Sequence, residues 1–472
     1  MTQPQPRAGP EQPGSGAPGG SRAQPEEADL LRRLLHSPSY RRVLVFSALI
    51  GVPVSLVAFW FLVALHQLEH LMWVHLPQAM GHPIPPWWWS LVLLPLAGVV
   101  VALVVTRLPG AGGHVPAYGL QPGGASARAL PGVVIAAVAS LPLGAVLGPE
   151  APLIALGGGL ALLFRDLARG TATPQNTALL GAAGAAAAMS VILGNPLVGA
   201  VLLMEVVGVG GPQLFAVMLP ALLSSGIGAL VFTGFGRWTG LETGSLSLPL
   251  SGPLPRLDAG DVGWTVVIAV VIGLLVHLIM AGARRAAALV RARPFAATVL
   301  CASGAGLCAT VYTLVTGRTS AEVASSGQAA MAQLAADPRS WGAGALIAVL
   351  AFKGVAYALC LASLRGGPIF PALFLGAALG VLLAPLPGFG VIPGLAAGMA
   401  AAAAAAFRLP VSSVVLVALL LGSIAMIPVV MLAAVIAFST TQLLPAFRDT
   451  PPVEEPELPS GAGTRAQARE PS

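Results

Sequence analysis

The stretch "VLGPEAPLIALGGG" (residues 146–159) carries one carboxylate, Glu150, in an otherwise apolar run broken by Pro149 and Pro152 and framed by glycines. An acidic side chain at membrane depth is costly, about 2.5–3.5 kcal/mol for Asp on insertion scales, so it points to a functional site. Two prolines this close suit the first turn of a helix, where their missing N–H groups cost nothing. A helix starting there aims its free N–H groups and positive dipole end at the carboxylate. The same geometry binds a free anion. An ionised Glu150 can therefore compete with such an anion for one site, and protonating it would remove the competitor.

The rest of the sequence makes lipid the setting. Of 472 residues, 56% are hydrophobic and 9% charged, with a mean hydropathy of +0.84, which excludes a soluble globular domain. Apolar runs begin near Val43, Trp88, Leu130, Thr177, Leu214, Trp264, Thr298, Gly342, Ala372, Leu395 and Val411. The expected fold is all-α and polytopic. Several runs are too short or too interrupted to cross alone. With 57 Gly and 42 Pro, broken and re-entrant helices are expected, covered by protein or lining a cavity. "PPWWWS" (85–90) fits an interfacial aromatic belt.

The net charge of +6 comes from arginine, because Lys353 is the one lysine. Arg32, Arg33, Arg41 and Arg42 precede the first span and predict a cytoplasmic N-terminus, and Arg284, Arg285, Arg291 and Arg293 predict another cytoplasmic loop. Nothing points to nucleic acid. Cys301, Cys308 and Cys360 lie in apolar runs and read as packing residues. Residues 1–36 and 448–472 read as disordered tails flanking a membrane domain over 37–447, with no leader peptide and no appended soluble domain.

That membrane domain contains a repeat, with halves expected over about 40–240 and 260–447. "GAAAAMSVILGNPLVGAVLLMEVVG" (184–208) lies against "GMAAAAAAAFRLPVSSVVLVALLLG" (398–422), and "PLIALG" (152–157) against "PALFLG" (371–376), in the same order. Paired halves of this kind place a transporter's site near the membrane midplane. Between residues 43 and 447 there are nine acidic residues, and only Glu150 and Glu205 read as lying inside apolar runs. Two further Gly/Pro-framed helix starts accompany the one at Glu150. They are "GAGGHVPAYG" (110–119) and "RGGPIFPALFLG" (365–376). Three such starts can converge on one dehydrated anion.

These motifs resemble those of the CLC family of chloride channels and proton-coupled chloride transporters, over roughly residues 40–445. "GPEAP" (148–152) is similar to the family's G(K/R)EGP, with Glu150 at the gating glutamate. "GPIFP" (367–371) is similar to GxFxP, and "GGHVP" (112–116) to a degraded GSGIP. The resemblance implies two inverted halves, a homodimer with one anion pathway per subunit, and an anion site drawn from Gly113, His114, Gly148, Ala151, Gly367, Ile369 and Phe370. It places "GNPLVGAVLLMEV" (194–206) and "RLPVSSVVLVALL" (408–420) at the dimer contact.

The departures carry expectations of their own. The filter serine falls on Gly113, with His114 as a substitute donor. Pro149 replaces the basic residue before the gate, and Pro368 removes one N–H. The late filter tyrosine is absent, since the last tyrosine is Tyr357, and the helix that would carry it reads as truncated. The internal proton-relay glutamate aligns with Val206, beside Glu205, and valine cannot carry a proton.

The resulting expectation is a channel-like or weakly proton-coupled anion pathway for chloride or a similar ion, without cofactor or metal, in a bacterial plasma membrane. A proton-coupled antiporter and a transport-inactive scaffold or sensor are the alternatives. Lys353 is expected to snorkel, or to pair with Glu205 or an ion. A rival from another class comes from "HQLEH" (66–70), which matches the H-x-x-E-H pattern of zinc hydrolases, with His66 and His70 as ligands and Glu69 as base.

Overall fold

The computed structural model describes residues 32–33, 35–120, 125–170, 173–208, 212–241, 248–250 and 257–445. The expected tail at 448–472 and most of that at 1–36 lie outside these residues. Residues 32–33 and 35–36 are helical, so helix begins before the boundary expected at 36.

Fifteen helices are used below. In the first half they are α1 (Pro38–His70), α2 (Trp89–Arg107), α3 (Leu130–Ser140), α4 (Glu150–Leu167), α5 (Pro174–Leu193), α6 (Pro196–Val207) and α7 (Pro212–Thr239). The second half has α8 (Ala259–Ala292), α9 (Pro294–Thr316), α10 (Gln328–Ala336), α11 (Ala343–Ser363), α12 (Ile369–Leu383), α13 (Val391–Phe407), α14 (Pro410–Leu421) and α15 (Ile427–Leu443). A π turn over Leu71–His75 prolongs α1.

Among the described residues, eight helical segments are long and apolar enough to span a bilayer, which makes this an integral, multi-pass membrane protein. Their outer faces suit lipid: Leu278, Leu300, Leu314 and Val315 are 62–73% exposed. The runs near Leu130, Ala372, Leu395 and Val411 form helices of 11 to 17 residues, as their interruptions predicted. Gly422, in the left-handed region at φ +60°, closes α14, and a further span follows over Ile424–Leu443, inside the expected membrane domain. One expectation is corrected: the positive cluster is not a loop, since Arg284, Arg285 and Arg291 lie within α8 and only Arg293 is in the turn before α9.

The repeat is visible in the packing. α4 crosses α5 where Gly157 meets the Gly184 carbonyl, and α12 crosses α13 where Gly376 meets the Gly398 carbonyl; a Cβ at any of the four would strike the opposing helix. These are the glycines that the two sequence matches pair. Small residues let backbones approach closely where lipid gives no hydrophobic drive between helices. α5 and α13 are accordingly alanine-rich, α13 nearly wholly buried and α5 buried from Leu179 to its end. Among the described residues the one isolated β-bridge joins Gly148 to Gly367, antiparallel. The two hold equivalent places in the repeat, four residues before Pro152 and Pro371. An antiparallel bridge between equivalents is what a two-fold relation between inverted halves requires.

Candidate functional site

Two helix starts meet at that bridge. Pro149 caps α4 and Pro368 caps α12, so each proline sits where no intrahelical N–H is lost. Glu150 is the first residue of α4 and is 0% exposed. Its side chain folds across the bridge onto the other half, where the Phe370 N–H donates to Oε1 at 3.1 Å. The amides of Ile369 and of Glu150 itself also face the carboxylate. Oε2 has no protein partner. The carboxylate thus occupies an anion cradle made by two helix N-termini, a place that favours negative charge through N–H donors and dipole alike.

The glycines matter here as space. A Cβ on Gly148 or on Gly367 would collide with the Glu150 carboxyl group. Their amides, however, are spent on each other: Gly148 N–H donates to the Gly367 carbonyl at 2.8 Å and Gly367 N–H to that of Gly148 at 2.5 Å. Gly148 and Gly367, expected as members of an anion site, therefore have no free N–H to donate to one. Ala151, Ile369 and Phe370 occupy the first turns of the two helices, where N–H groups lack intrahelical acceptors.

The third predicted helix start is different. Pro109–Gly112 and Pro116–Tyr118 form short 3-10 turns, and no long helix follows directly. Gly113 lies between them at φ +94°. The adjacent His114 donates from Nε2 to the Gly119 carbonyl at 2.6 Å. With its proton on Nε2, a neutral ring offers only a lone pair at Nδ1, so His114 donates to an anion only as the imidazolium.

Two side chains beside the site were not singled out from sequence. Tyr357, on α11, is fully buried and donates to the Pro368 carbonyl at 2.7 Å, tethering the cap of α12. Its only sequence signal is scarcity, as one of four tyrosines. Arg365, three residues before Pro368, is buried against the 109–113 loop. Its signal is a charge immediately before a Gly-Gly-Pro.

Glu205 and Lys353 do not pair. Glu205 reaches from α6 to the start of α14, where it accepts from Val411 N–H at 3.0 Å, Ser412 N–H at 2.7 Å and the Ser412 hydroxyl at 2.6 Å. It is a helix cap supplied by the other half of the repeat. Val206 beside it is half-buried. Lys353 neither snorkels nor meets Glu205. It is 0% exposed, and Nζ lies 3.0–3.4 Å from the carbonyls of Glu322, Val323, Ala324 and Ser325 and 5.1 Å from the Phe374 ring centre. Both expectations for Lys353 are corrected, because converging carbonyls hold the ammonium inside the protein.

The zinc pattern is not assembled. Among the described residues no group of three His, Cys, Asp or Glu side chains comes together, and the His70 ring packs on His75 with centres 4.7 Å apart. Glu69 faces Ser325 and Lys353 instead. His66 and Glu69 line a small cavity that also touches Pro149, next to the buried carboxylate.

Comparison with known proteins agrees with this geometry. The profile of the family described as "Voltage gated chloride channel" matches residues 97–442. YfeO proteins of Salmonella schwarzengrund (strain CVM19633) and Salmonella typhimurium (strain LT2), named for ion transport, are each 26% identical over 361 residues. Each alignment covers 73% of this chain and 82% of the relative. Among solved structures, a slow cyanobacterial Cl-/H+ antiporter superposes with a TM-score of 0.70 at 18% identity, over 85% of this chain and 94% of its own. A CLC-type fluoride/proton antiporter gives 0.68 at 18%, over 85% and 96%, and a eukaryotic CLC transporter 0.65 at 20%, over 86% and 72%. At these identities the likeness shows the fold.

Proposed function

We propose, given that the chain belongs to the voltage gated chloride channel family and is a membrane anion channel or transporter rather than an enzyme, that Glu150 is a protonatable gate across its anion pathway. The observation that carries this reading is the buried Glu150 carboxylate lying on the Phe370 N–H of the opposing helix start. A carboxylate held there stands where a small anion would be bound. Protonation removes its charge, weakens its hold on the N–H donors and frees the cradle. Chloride is the proposed substrate, with the amides of Ala151, Ile369 and Phe370 as donors.

Conduction is channel-like or weakly proton-linked in this reading. Val206 cannot carry a proton, and Glu205 is engaged as a helix cap. The protein works as a homodimer in a bacterial plasma membrane with the N-terminus in the cytoplasm. The test is flux from liposomes, reading chloride and proton movement together from acidic to neutral pH. Acid should increase chloride flux in the wild type. Glu150→Gln should conduct well with reduced pH sensitivity. A Glu150→Gln protein that keeps the wild-type pH dependence, or is folded yet silent, would show that the carboxylate is not the gate. Strict coupling of protons to chloride would favour the antiporter.

A further inference from the structure

Glu69 is an acidic side chain near the gate that the reading above leaves unused. It is the next-to-last residue of α1. The helical segment that carries it, Pro38–Ala79, has 42 residues, whereas about 20 suffice to cross a bilayer, so its end reaches the membrane boundary. An interfacial tryptophan marks the same level: Trp89 Nε1 donates at 3.0 Å to the carbonyl of Met72, three residues beyond Glu69. Glu69 is half-buried there and faces Ser325 and Lys353. The Lys353 ammonium, fixed by its four carbonyls, balances the charge of the carboxylate.

Glu69 lines a cavity of about 60 Å³, room for about four waters at about 15 Å³ each. One wall is α1, with His66 and Glu69; a second is the segment before α4, with Leu147 and Pro149; a third is Ser326 and Gln328 at the start of α10. The walls are tied together. Trp73 Nε1 donates to the Pro142 carbonyl at 3.0 Å, and the Ser325 N–H donates to the Gly144 carbonyl at 2.9 Å. The space is therefore a fixed part of the fold, and its four polar side chains give water the partners it needs. Pro149 is uncharged and is followed directly by Glu150, whose Oε2 has no protein partner. The cavity thus links an acid at the membrane boundary to the cap of the gate helix.

Other charged groups near Glu69 are engaged elsewhere. α4, α5 and α7 pack on α1. α5 carries no charged residue, Arg237 of α7 is exposed, and Arg165 and Asp166 pair with each other at the far end of α4. On α1 itself His70 packs on His75. Beyond Lys353, Glu322 is held by Arg318 and Tyr312.

We infer that Glu69 is the proton donor to Glu150, acting through water in this cavity. The inference rests on the gate reading and supplies the proton which that reading requires. In the transfer the O–H bond of a protonated Glu69 breaks as a water takes the proton, each water passes one proton on, and the last O–H bond forms at Oε2 of Glu150. Glu150 becomes neutral, and Glu69 is left as a carboxylate facing Lys353 until it regains a proton from solution.

The test takes the full chain in liposomes from neutral to acidic pH by rapid mixing, with a protonophore equalising the two sides, and follows chloride flux as it rises. Folded Glu69→Gln keeps the size of the side chain but no transferable proton. Its flux should rise at least about tenfold more slowly, below the roughly 10²–10⁴-fold that a placed proton-transfer group contributes in catalysis. The final acid flux should equal that of the wild type, since a relay sets the rate and not the equilibrium. Imidazole, a small proton carrier, should restore the rate in Glu69→Ala, whereas a merely structural loss beside Lys353 would not respond to it. Ser326→Leu fills the cavity while leaving Glu69 and Lys353 in place. It should slow the rise as well, and it decides the matter if the Glu69 variants fail to fold. A wild-type rate in folded Glu69→Gln or in Ser326→Leu, or a slowing that imidazole does not relieve, would overturn the inference. If Glu150→Gln is then flat in pH, the relay alone is refuted. A Glu150→Gln protein that still responds to acid refutes the gate, and this inference with it.

Discussion

Replacing Glu205 separates a capping carboxylate from a proton relay. Glu205 accepts three hydrogen bonds across the repeat, two of them from the first backbone N–H groups of α14. Removal of a side-chain cap costs about 0.5–2 kcal/mol. Ser412 is buried, so its N–H has little access to water as a replacement acceptor. Glu205→Ala should therefore destabilise by about 1–2 kcal/mol. Glu205→Gln keeps one acceptor oxygen but turns its NH₂ group toward either the Val411 N–H or the Ser412 N–H and hydroxyl, so it should recover only part of that loss. Ser412→Ala alone removes only the hydroxyl at 2.6 Å and should cost less, with a coupling to Glu205 of about 0.5–1 kcal/mol in a double-mutant cycle. The assay is denaturant unfolding in mild detergent, paired with proton and chloride flux in liposomes. Stability should fall while the ratio of proton to chloride movement stays unchanged. Full stability in Glu205→Ala would refute the cap, and selective loss of proton movement with chloride flux preserved would make Glu205 a relay.

Other perturbations probe the same architecture. Gly367→Ala places a methyl group against the Glu150 carboxyl, so it should displace the gate and raise flux at neutral pH. Unchanged neutral-pH flux in folded protein would count against the closeness of the two. Lys353→Met strips the cation from four buried carbonyls and should destabilise by about 3 kcal/mol or more; a melting temperature equal to wild type would contradict its role as the tie for residues 322–325. Trp at the half-buried Val201 and Val415 should split the proposed dimer in mild detergent, as read by light scattering. An intact dimer would move the contact elsewhere. Lowering pH should increase chloride flux through the wild type and leave Glu150→Gln nearly flat, because only the ionised carboxylate occupies the cradle.

Much of the architecture is legible in the sequence because lipid narrows the choices. Apolar length fixes which segments cross, and a proline at a helix start is tolerated for a local reason, the absence of an N–H that no carbonyl needs. Glu150 stands out for the same reason: a carboxylate between two prolines in an apolar run has few structural explanations. The repeat was readable from "PLIALG" and "PALFLG", since inverted halves keep the same helix starts and the same small residues at their crossings. What the sequence could not decide was where side chains more than a hundred positions away would arrive. Whether Gly148 and Gly367 offer their amides to an anion depends on their pairing with each other, across 219 positions. Glu205 looked like a second buried charge until the start of α14 supplied its donors, and Lys353 looked like a snorkelling residue until four carbonyls closed around it. The identity of a membrane helix is a local matter of hydropathy and backbone satisfaction. The partner of a buried charge is a long-range matter, because only the folded chain brings the compensating groups within hydrogen-bonding reach, and so only the tertiary structure revealed what Tyr357 and Arg365 hold near the start of α12.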